Sequence, residues 1–409
     1  MGDELVVWLY GGPVARIDEE RRRLRLIYTD DALSRYPLGT PLLSLILPVQ
    51  RQRHTERVVR PFLDGLLPEG QARLAIAYDF DLPASDTYGL LRAIGRDCAG
   101  ALVIQPADQP TPPVASTLRA EPISDADIER LVANLRTAPL GADERVRVSL
   151  GGVQEKLLLT QMPGGTWGRP VDGTPSTHIL KPPIARFPAT VENEAFCMRI
   201  ARHLGLKVAT VHVAPIGGRP LLVVERYDRV VHPDGTMERI HQEDLCQATG
   251  VPPEKKYEEY GGPTLRRIAR LLEAAAAPDV LEDLLRALTV HVLIGNGDAH
   301  AKNFSILHSP SGALTLSPLY DLLCTLHYGD VRLAMTVDGA ARLDEVTAAR
   351  IVNEASRWGL SRQRAGGIVE DVLDRAPAAI AAAREDTDDL PAAIVATVEG
   401  QLRHLRAAS

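Results

Sequence analysis

Hydrophobic and polar positions change their period several times along this chain, and each change marks an element. Residues 5–10 form a short apolar run closed by Gly11-Gly12-Pro13, the mark of a strand, and residues 24–28 read as its partner strand. Helical spacing governs residues 70–78 and 86–94. Pro106, Pro110, Pro112 and Pro113 then break both helix and ladder, which predicts a linker or exposed excursion. Ser124-Asp-Ala-Asp127 has the form of a capping box and opens a helix expected to reach about Arg136. Short strand-like runs follow at 146–150, 156–160, 178–181, 208–213 and 221–225, interrupted by an amphipathic helix over 191–204 that stops at Gly205. From Pro263 onward the reading is mostly helical, over 265–275, 280–293, 343–358, 361–373 and 391–405.

Strand-rich sequence followed by helix-rich sequence predicts an α+β chain with two lobes, with a first boundary inside 105–145. At 409 residues and 45% apolar content it can fill real cores, but with only 4% aromatics Leu, Val, Ile and Ala must do the filling. Cys98, Cys197, Cys246 and Cys324 are scattered without a C-x-x-C pair, which argues against a disulfide framework or a zinc cluster and fits a reducing cytosol. The acidic start lacks a signal pattern and no apolar run approaches the roughly 18 residues that span a bilayer, so the expectation is a cytoplasmic chain without a membrane. A net charge of −7 gives no support for nucleic-acid binding by the chain as a whole.

The chemistry concentrates in Asp298-Ala-His-Ala-Lys-Asn303 and in Asp321 of Leu319-Tyr-Asp-Leu322. Phosphoryl transfer needs a base or orienter for the attacking hydroxyl, and an Asn and an Asp to hold Mg²⁺ on the nucleotide phosphates. The spacing is the D-x-x-x-x-N of a kinase catalytic loop with a later metal-binding Asp, so a two-lobed protein-kinase-like fold is expected. Turn chemistry at Asn296-Gly-Asp298 and a helix cap at Asp321 are compatible with the same residues. Val148-Ser-Leu-Gly-Gly-Val-Gln-Glu-Lys156 reads either as a plain Gly-Gly hairpin or as a loop whose amides approach an anion. Lys181 closes a strand downstream of that loop, where a kinase lysine neutralises phosphates or where an ordinary lysine meets solvent. Val223-Val-Glu-Arg-Tyr227 is either a hinge strand for an adenine edge or a core strand with a polar exit. His291 and His308 read as packed or surface histidines, since they lack zinc-ligand spacing. No G-x-x-x-x-G-K-[ST] loop and no G-x-S-x-G elbow occurs.

Taken together, Val148 to Lys156, His178-Ile-Leu-Lys181, Val224-Glu-Arg-Tyr-Asp228, Gln242-Glu-Asp-Leu-Cys246, Tyr257 with Gly261-Gly-Pro263, Asp298 to Asn303 and Tyr320-Asp321 resemble, in order, the motifs of HipA-like serine/threonine kinases. These are the toxins of HipBA toxin–antitoxin modules. Phe62 to Glu69 and Ile94 to Gly100 are similar to the family's N-terminal subdomain. The resemblance implies an N-terminal α/β subdomain over 1–137, a strand-rich nucleotide lobe over 138–251 and a mainly helical catalytic lobe over 252–409. It implies ATP and Mg²⁺ as cofactors, a protein substrate of the aminoacyl-tRNA synthetase class, and a HipB-like helix-turn-helix antitoxin through which DNA is reached. By position, Gly151, Gly152, Val153, Gln154, Glu155 and Lys156 would form the phosphate loop. Lys181 would meet the nucleotide, with Glu225, Arg226 and Tyr227 as hinge and His300 and Lys302 as further nucleotide contacts. Asp298 would be catalytic, Asn303 and Asp321 metal ligands, and Ser149 the autophosphorylated serine whose new charge would repel ATP. Gly297 stands where protein kinases carry Arg, Gly151 where the family often has alanine, and Ala299 where it often has glycine. A small-molecule or lipid kinase of the same fold and a silent repressor-binding module are the alternatives.

Overall fold

The structure, a computed structural model, describes residues 4–112, 116–140, 149–152, 154–171, 173–275, 279–309 and 312–407. It has two compact units: the first is Met1–Pro182, Ala214–Pro253 and Leu307–Gly312, the second Pro183–Val213, Glu254–Ile306 and Ala313–Ser409.

Unit 1 opens with four antiparallel strands, β1 (Leu5–Leu9), β2 (Gly12–Glu20), β3 (Arg23–Tyr28) and β4 (Val103–Pro106), in the order β3-β2-β1-β4. The sequence pairing of 5–10 with 24–28 is corrected here. The left-handed Tyr10 and Gly11 (φ 50° and 77°) reverse the chain at once, so β2 lies between the two. Its outer end, Asp18-Glu-Glu20, hides the alternation that would have announced a strand. Helices α1 (Glu56–Leu66), α2 (Gly70–Asp79) and α3 (Thr87–Ile94) share the core of this sheet. The sequence reading missed α1 because Pro61 sits inside it; burial of Val59, Phe62, Leu63 and Leu66 in the shared core outweighs the lost backbone bond. Asp86 starts α3 by accepting the Gly89 N–H at 2.8 Å.

The second sheet of unit 1 runs β9-β10-β8-β6-β7-β5, with β5 (Ala120–Pro122), β6 (Leu157–Gln161), β7 (Trp167–Pro170), β8 (His178–Lys181), β9 (Val211–Ile216) and β10 (Arg219–Glu225). Register places Leu180 between Leu157 and Val223, which packs these apolar residues against Ile128 of α4 (Asp125–Ala133). The capping box that opens α4 is present: Ser124 and Asp127 exchange bonds at 3.2 and 2.9 Å. The helix stops at Ala133 rather than near 136. Of the strand expected over 146–150, residues 146–148 lie outside the described residues and Ser149 and Leu150 are irregular.

Unit 2 is built from α5 (Thr190–His203), α6 (Leu265–Ala275), α7 (Val280–Leu293), α8 (Ala348–Ser356), α9 (Arg362–Glu385) and α10 (Ala392–Ala407). α9 packs on α5, α7, α8 and α10. It continues through Pro377 instead of stopping at 373, with Ala376, Ala379, Ile380 and Ala383 buried beyond the expected end. The single helix expected over 343–358 is a one-turn 3₁₀ segment at Leu343–Glu345 followed by α8, which Thr347 caps. A hairpin of β11 (Arg332–Val337) and β12 (Ala340–Arg342) breaks the helical reading. Among the described residues no helix is long and apolar enough to cross a membrane.

Candidate active site

The Asp298 loop follows α7 at Gly295 (φ 69°), where a side chain would press on Leu326. At Gly297 a Cβ would lie 2.2 Å from the Arg332 carbonyl, so only glycine lets the loop pass beneath β11. Gly297 donates its N–H to Thr325 Oγ1 at 2.8 Å and its carbonyl accepts from Ala334 at 2.8 Å. The loop is therefore strapped on both sides.

Asp298 Oδ1 accepts the Tyr257 hydroxyl at 2.7 Å. Burial pushes this carboxyl up to about 6; the Tyr257 bond works against the rise and the negative charge of Asp321 adds to it. The Asp298 carbonyl collects the N–H of His300 at 2.8 Å and the side-chain amide of Asn303 at 3.0 Å. That bond engages the Asn303 nitrogen and makes its side-chain oxygen the candidate ligand atom. His300 stands edge-on to Tyr257, centroids 5.2 Å apart, and the buried Lys302 accepts the Tyr320 hydroxyl on its carbonyl at 2.7 Å. Asp321 takes a left-handed backbone (φ 59°), a strained conformation for a residue with a side chain. One turn of chain thus gathers Asp298, His300, Lys302 and Asn303, with Asp321 in electrostatic reach of Asp298 and of the buried His291.

No group of three or more His, Cys, Asp or Glu among the described residues is arranged to hold a metal. The candidate set is instead one amide oxygen and one carboxylate, hard donors that fit Mg²⁺, which keeps several waters of its own.

In unit 1, Ser149 is fully buried. Its N–H donates to the Asp97 carbonyl at 2.9 Å and its hydroxyl to the Leu66 carbonyl at 2.6 Å. Gly152 (φ 111°) donates its N–H to the Glu69 carboxylate at 3.1 Å, and the Lys156 amine turns back onto the Gly151 carbonyl at 2.6 Å. Glu155 is exposed and pairs with Arg136 at 3.0 Å; Val153 lies outside the described residues. A cavity of about 470 Å³ opens along the loop, lined by Leu150, Gly152, Gln154, Lys156, Gln71 and Arg136. Lys181 is buried at the end of β8, across from Leu222. Glu225 is exposed opposite His178, and the Tyr227 hydroxyl donates to Gln242.

Arg226 is buried in a charged cluster. Its guanidinium donates to Asp228 at 3.0 and 2.9 Å, to Ser176 at 2.8 Å, to the Cys98 carbonyl at 3.1 Å and to Asp97 at 3.3 Å. Its backbone N–H is spent on the Thr177 carbonyl at 2.9 Å. Every donor that would face a nucleotide is used. Burial works against ionisation of Asp97 and Asp228, yet Arg226 and Arg229 hold both below the usual carboxylate range. Sequence spacing gave no sign of this cluster because its members come from segments far apart.

Two family models match the chain, the HipA N-terminal domain over residues 5–105 and the HipA-like C-terminal domain over residues 148–380. The chain belongs to the HipA family. It is 41% identical to the candidate kinase Y4mE of Sinorhizobium fredii, covering 94% of this chain and 93% of that one. It is 31% identical to the serine/threonine-protein kinase toxin HipA of Shewanella oneidensis, over 80% of this chain and 77% of that one. A Shewanella oneidensis HipA structure, from a complex with HipB and operator DNA, superposes with a TM-score of 0.83 at 28% identity, covering 98% and 97% of the two chains. This HipA-family chain is accordingly an enzyme of the kinase class with the mixed helix and sheet of that fold.

Proposed function

We propose that this kinase transfers the γ-phosphoryl group of ATP, with Mg²⁺, to a serine or threonine hydroxyl of a protein, as the toxin of a toxin–antitoxin pair. The observation that carries the reading is the half-buried Asp298 carboxylate, held by Tyr257 and clipped through its own carbonyl to Asn303. Asp298 would take the proton of the acceptor hydroxyl as that oxygen bonds to the γ-phosphorus; the bond from phosphorus to the β–γ bridging oxygen breaks and ADP leaves. Asn303 and Asp321 would hold Mg²⁺, whose charge, when bound, offsets that of the phosphates. Lys181 and the loop over 151–156 are the proposed phosphate contacts, with His300 and Lys302 beside the catalytic Asp. Glu225, Arg226 and Tyr227 are the proposed hinge, with the Arg226 side chain holding Asp97 and Asp228. A HipB-like antitoxin is the proposed partner and the route to DNA, and an aminoacyl-tRNA synthetase the proposed substrate class. Ser149 is the proposed self-modified serine, which requires the loop to leave its seat first, because the hydroxyl is buried on Leu66.

Transfer from labelled ATP and Mg²⁺ tests this in wild type, Asp298→Asn and Asp321→Asn. Label on protein, mapped in part to Ser149 and lost in both variants, supports the reading. ATP binding without transfer to any protein in a lysate moves the assignment to a small-molecule acceptor.

A further inference from the structure

His291, on the last turn of α7, and Asn296, two residues before Asp298, are each only 1% exposed. The Asn296 side-chain nitrogen lies 3.0 Å from His291 Nδ1, and the Asn296 side-chain oxygen accepts the Asp298 backbone N–H at 3.1 Å. A carboxamide nitrogen has only hydrogens to offer, so Nδ1 is the acceptor and the neutral ring carries its proton on Nε2. The reverse amide orientation would set an NH₂ group against the Asp298 N–H, two donors face to face. The Asn296 backbone N–H closes the arrangement on the His291 carbonyl at 2.9 Å. Burial keeps the imidazole neutral by pulling it down to about 4. Gly297 and Ala299 flank Asp298 and give it almost no side-chain packing of their own.

We propose that Asn296, aimed by His291, is the positioning residue that fixes the backbone of Asp298 and so the direction of its carboxylate. The assignment rests on Asp298 acting as the proton acceptor. A base displaced by about 1 Å loses on the order of 100-fold in rate, so one lost amide bond at this loop reads out in turnover before it reads out in nucleotide binding. Among the described residues His291 Nε2 has no hydrogen-bond partner, and Asp321 is a charged group acting on the ring.

The test uses the full chain with four variants: Asn296→Ala, His291→Leu, His291→Asn (whose side-chain oxygen stands where Nδ1 stood) and Asp298→Asn. Turnover and KM for ATP are measured together with hydrogen exchange at the Asp298 amide. Asn296→Ala and His291→Leu are expected to lower kcat by about 10-fold or more with KM for ATP within about twofold, and to speed exchange at Asp298; His291→Asn restores both. Unchanged exchange and kcat in Asn296→Ala overturn the proposal. So does a His291→Asn variant as impaired as His291→Leu, which decides the matter if Asn296→Ala fails to fold. An active Asp298→Asn removes the base assignment, while the exchange measurement still reports whether Asn296 holds the loop.

Discussion

Glu69 and Gly152 hold each other twice, through the Gly152 N–H on the Glu69 carboxylate at 3.1 Å and the Glu69 N–H on the Gly152 carbonyl at 3.3 Å. Glu69 occupies the N-cap of α2 yet does not cap its own helix with its side chain. The carboxylate is directed to an amide of the loop proposed to meet phosphate. Glu69→Ala is expected to cost about 1 kcal/mol, since the group is part-exposed, and to free the loop. Faster proteolysis near residues 150–156 with a small drop in Tm is the expected result; an unchanged cleavage rate excludes the latch.

Ser149 tolerates neither charge nor bulk in its present seat. Ser149→Ala loses one bond and leaves the Leu66 carbonyl unmet, about 1 kcal/mol. Ser149→Asp sets a carboxylate against that carbonyl in a dry site, and the loop is expected to leave. Calorimetric titration should find ATP affinity at least about tenfold weaker in Ser149→Asp, and near wild type in Ser149→Ala. Equal affinity in the two variants would separate the serine from nucleotide control.

Arg226→Lys is a test of structure against ligand contact. Lysine cannot reproduce the forked bonds to Asp228, and a broken buried pair costs about 3–5 kcal/mol. A large fall in Tm with ATP affinity retained below the melting range is expected. Loss of ATP binding at full stability would assign the Arg226 side chain to the nucleotide.

Burial holds His241 down to about 3, with the nearby ring of His308 acting in the same direction. Its ring lies 4.8 Å from that of His308; Nε2 faces the Leu43 carbonyl, its backbone meets Tyr10, Asp228 acts on it from β10's far end, and Glu243 binds His308. An unfolded histidine takes a proton near pH 6.5 while the folded one refuses it until about 3. Stability is therefore full above about 6.5 and falls by about 1.4 kcal/mol per pH unit below it, roughly 2 kcal/mol at pH 5. His241→Gln, which keeps a donor toward Leu43, should flatten that slope in denaturant titrations at pH 7 and 5. An unaltered slope assigns it elsewhere.

Periodicity located α6 and α7 to the residue and the cap of α4, because in those stretches apolar spacing and terminal residues agree. It failed at α1 and past residue 373, where Pro61 and Pro377 signal a break that buried apolar faces override. It failed at β2 because charged residues occupy a strand whose opposite face is buried. The Asp298–Asn303 turn was readable since its chemistry is local in the chain. Asn296 sits two residues before Asp298, but spacing does not announce its bond to His291, and folding alone brings Tyr257 to Asp298 across 41 positions. The ion pairs of Arg226 were hidden for the same reason, its partner Asp97 being 129 positions away.

That distance has a consequence for synthesis. Asp97 leaves the ribosome long before Arg226, Arg229 and Arg239, the three guanidiniums that meet it at 3.3, 2.8 and 3.8 Å. Until they arrive, the Asp97 carboxylate has none of these charge partners and is stable only in contact with water. Completion of this charged cluster in a nascent chain therefore waits until residue 239 has emerged.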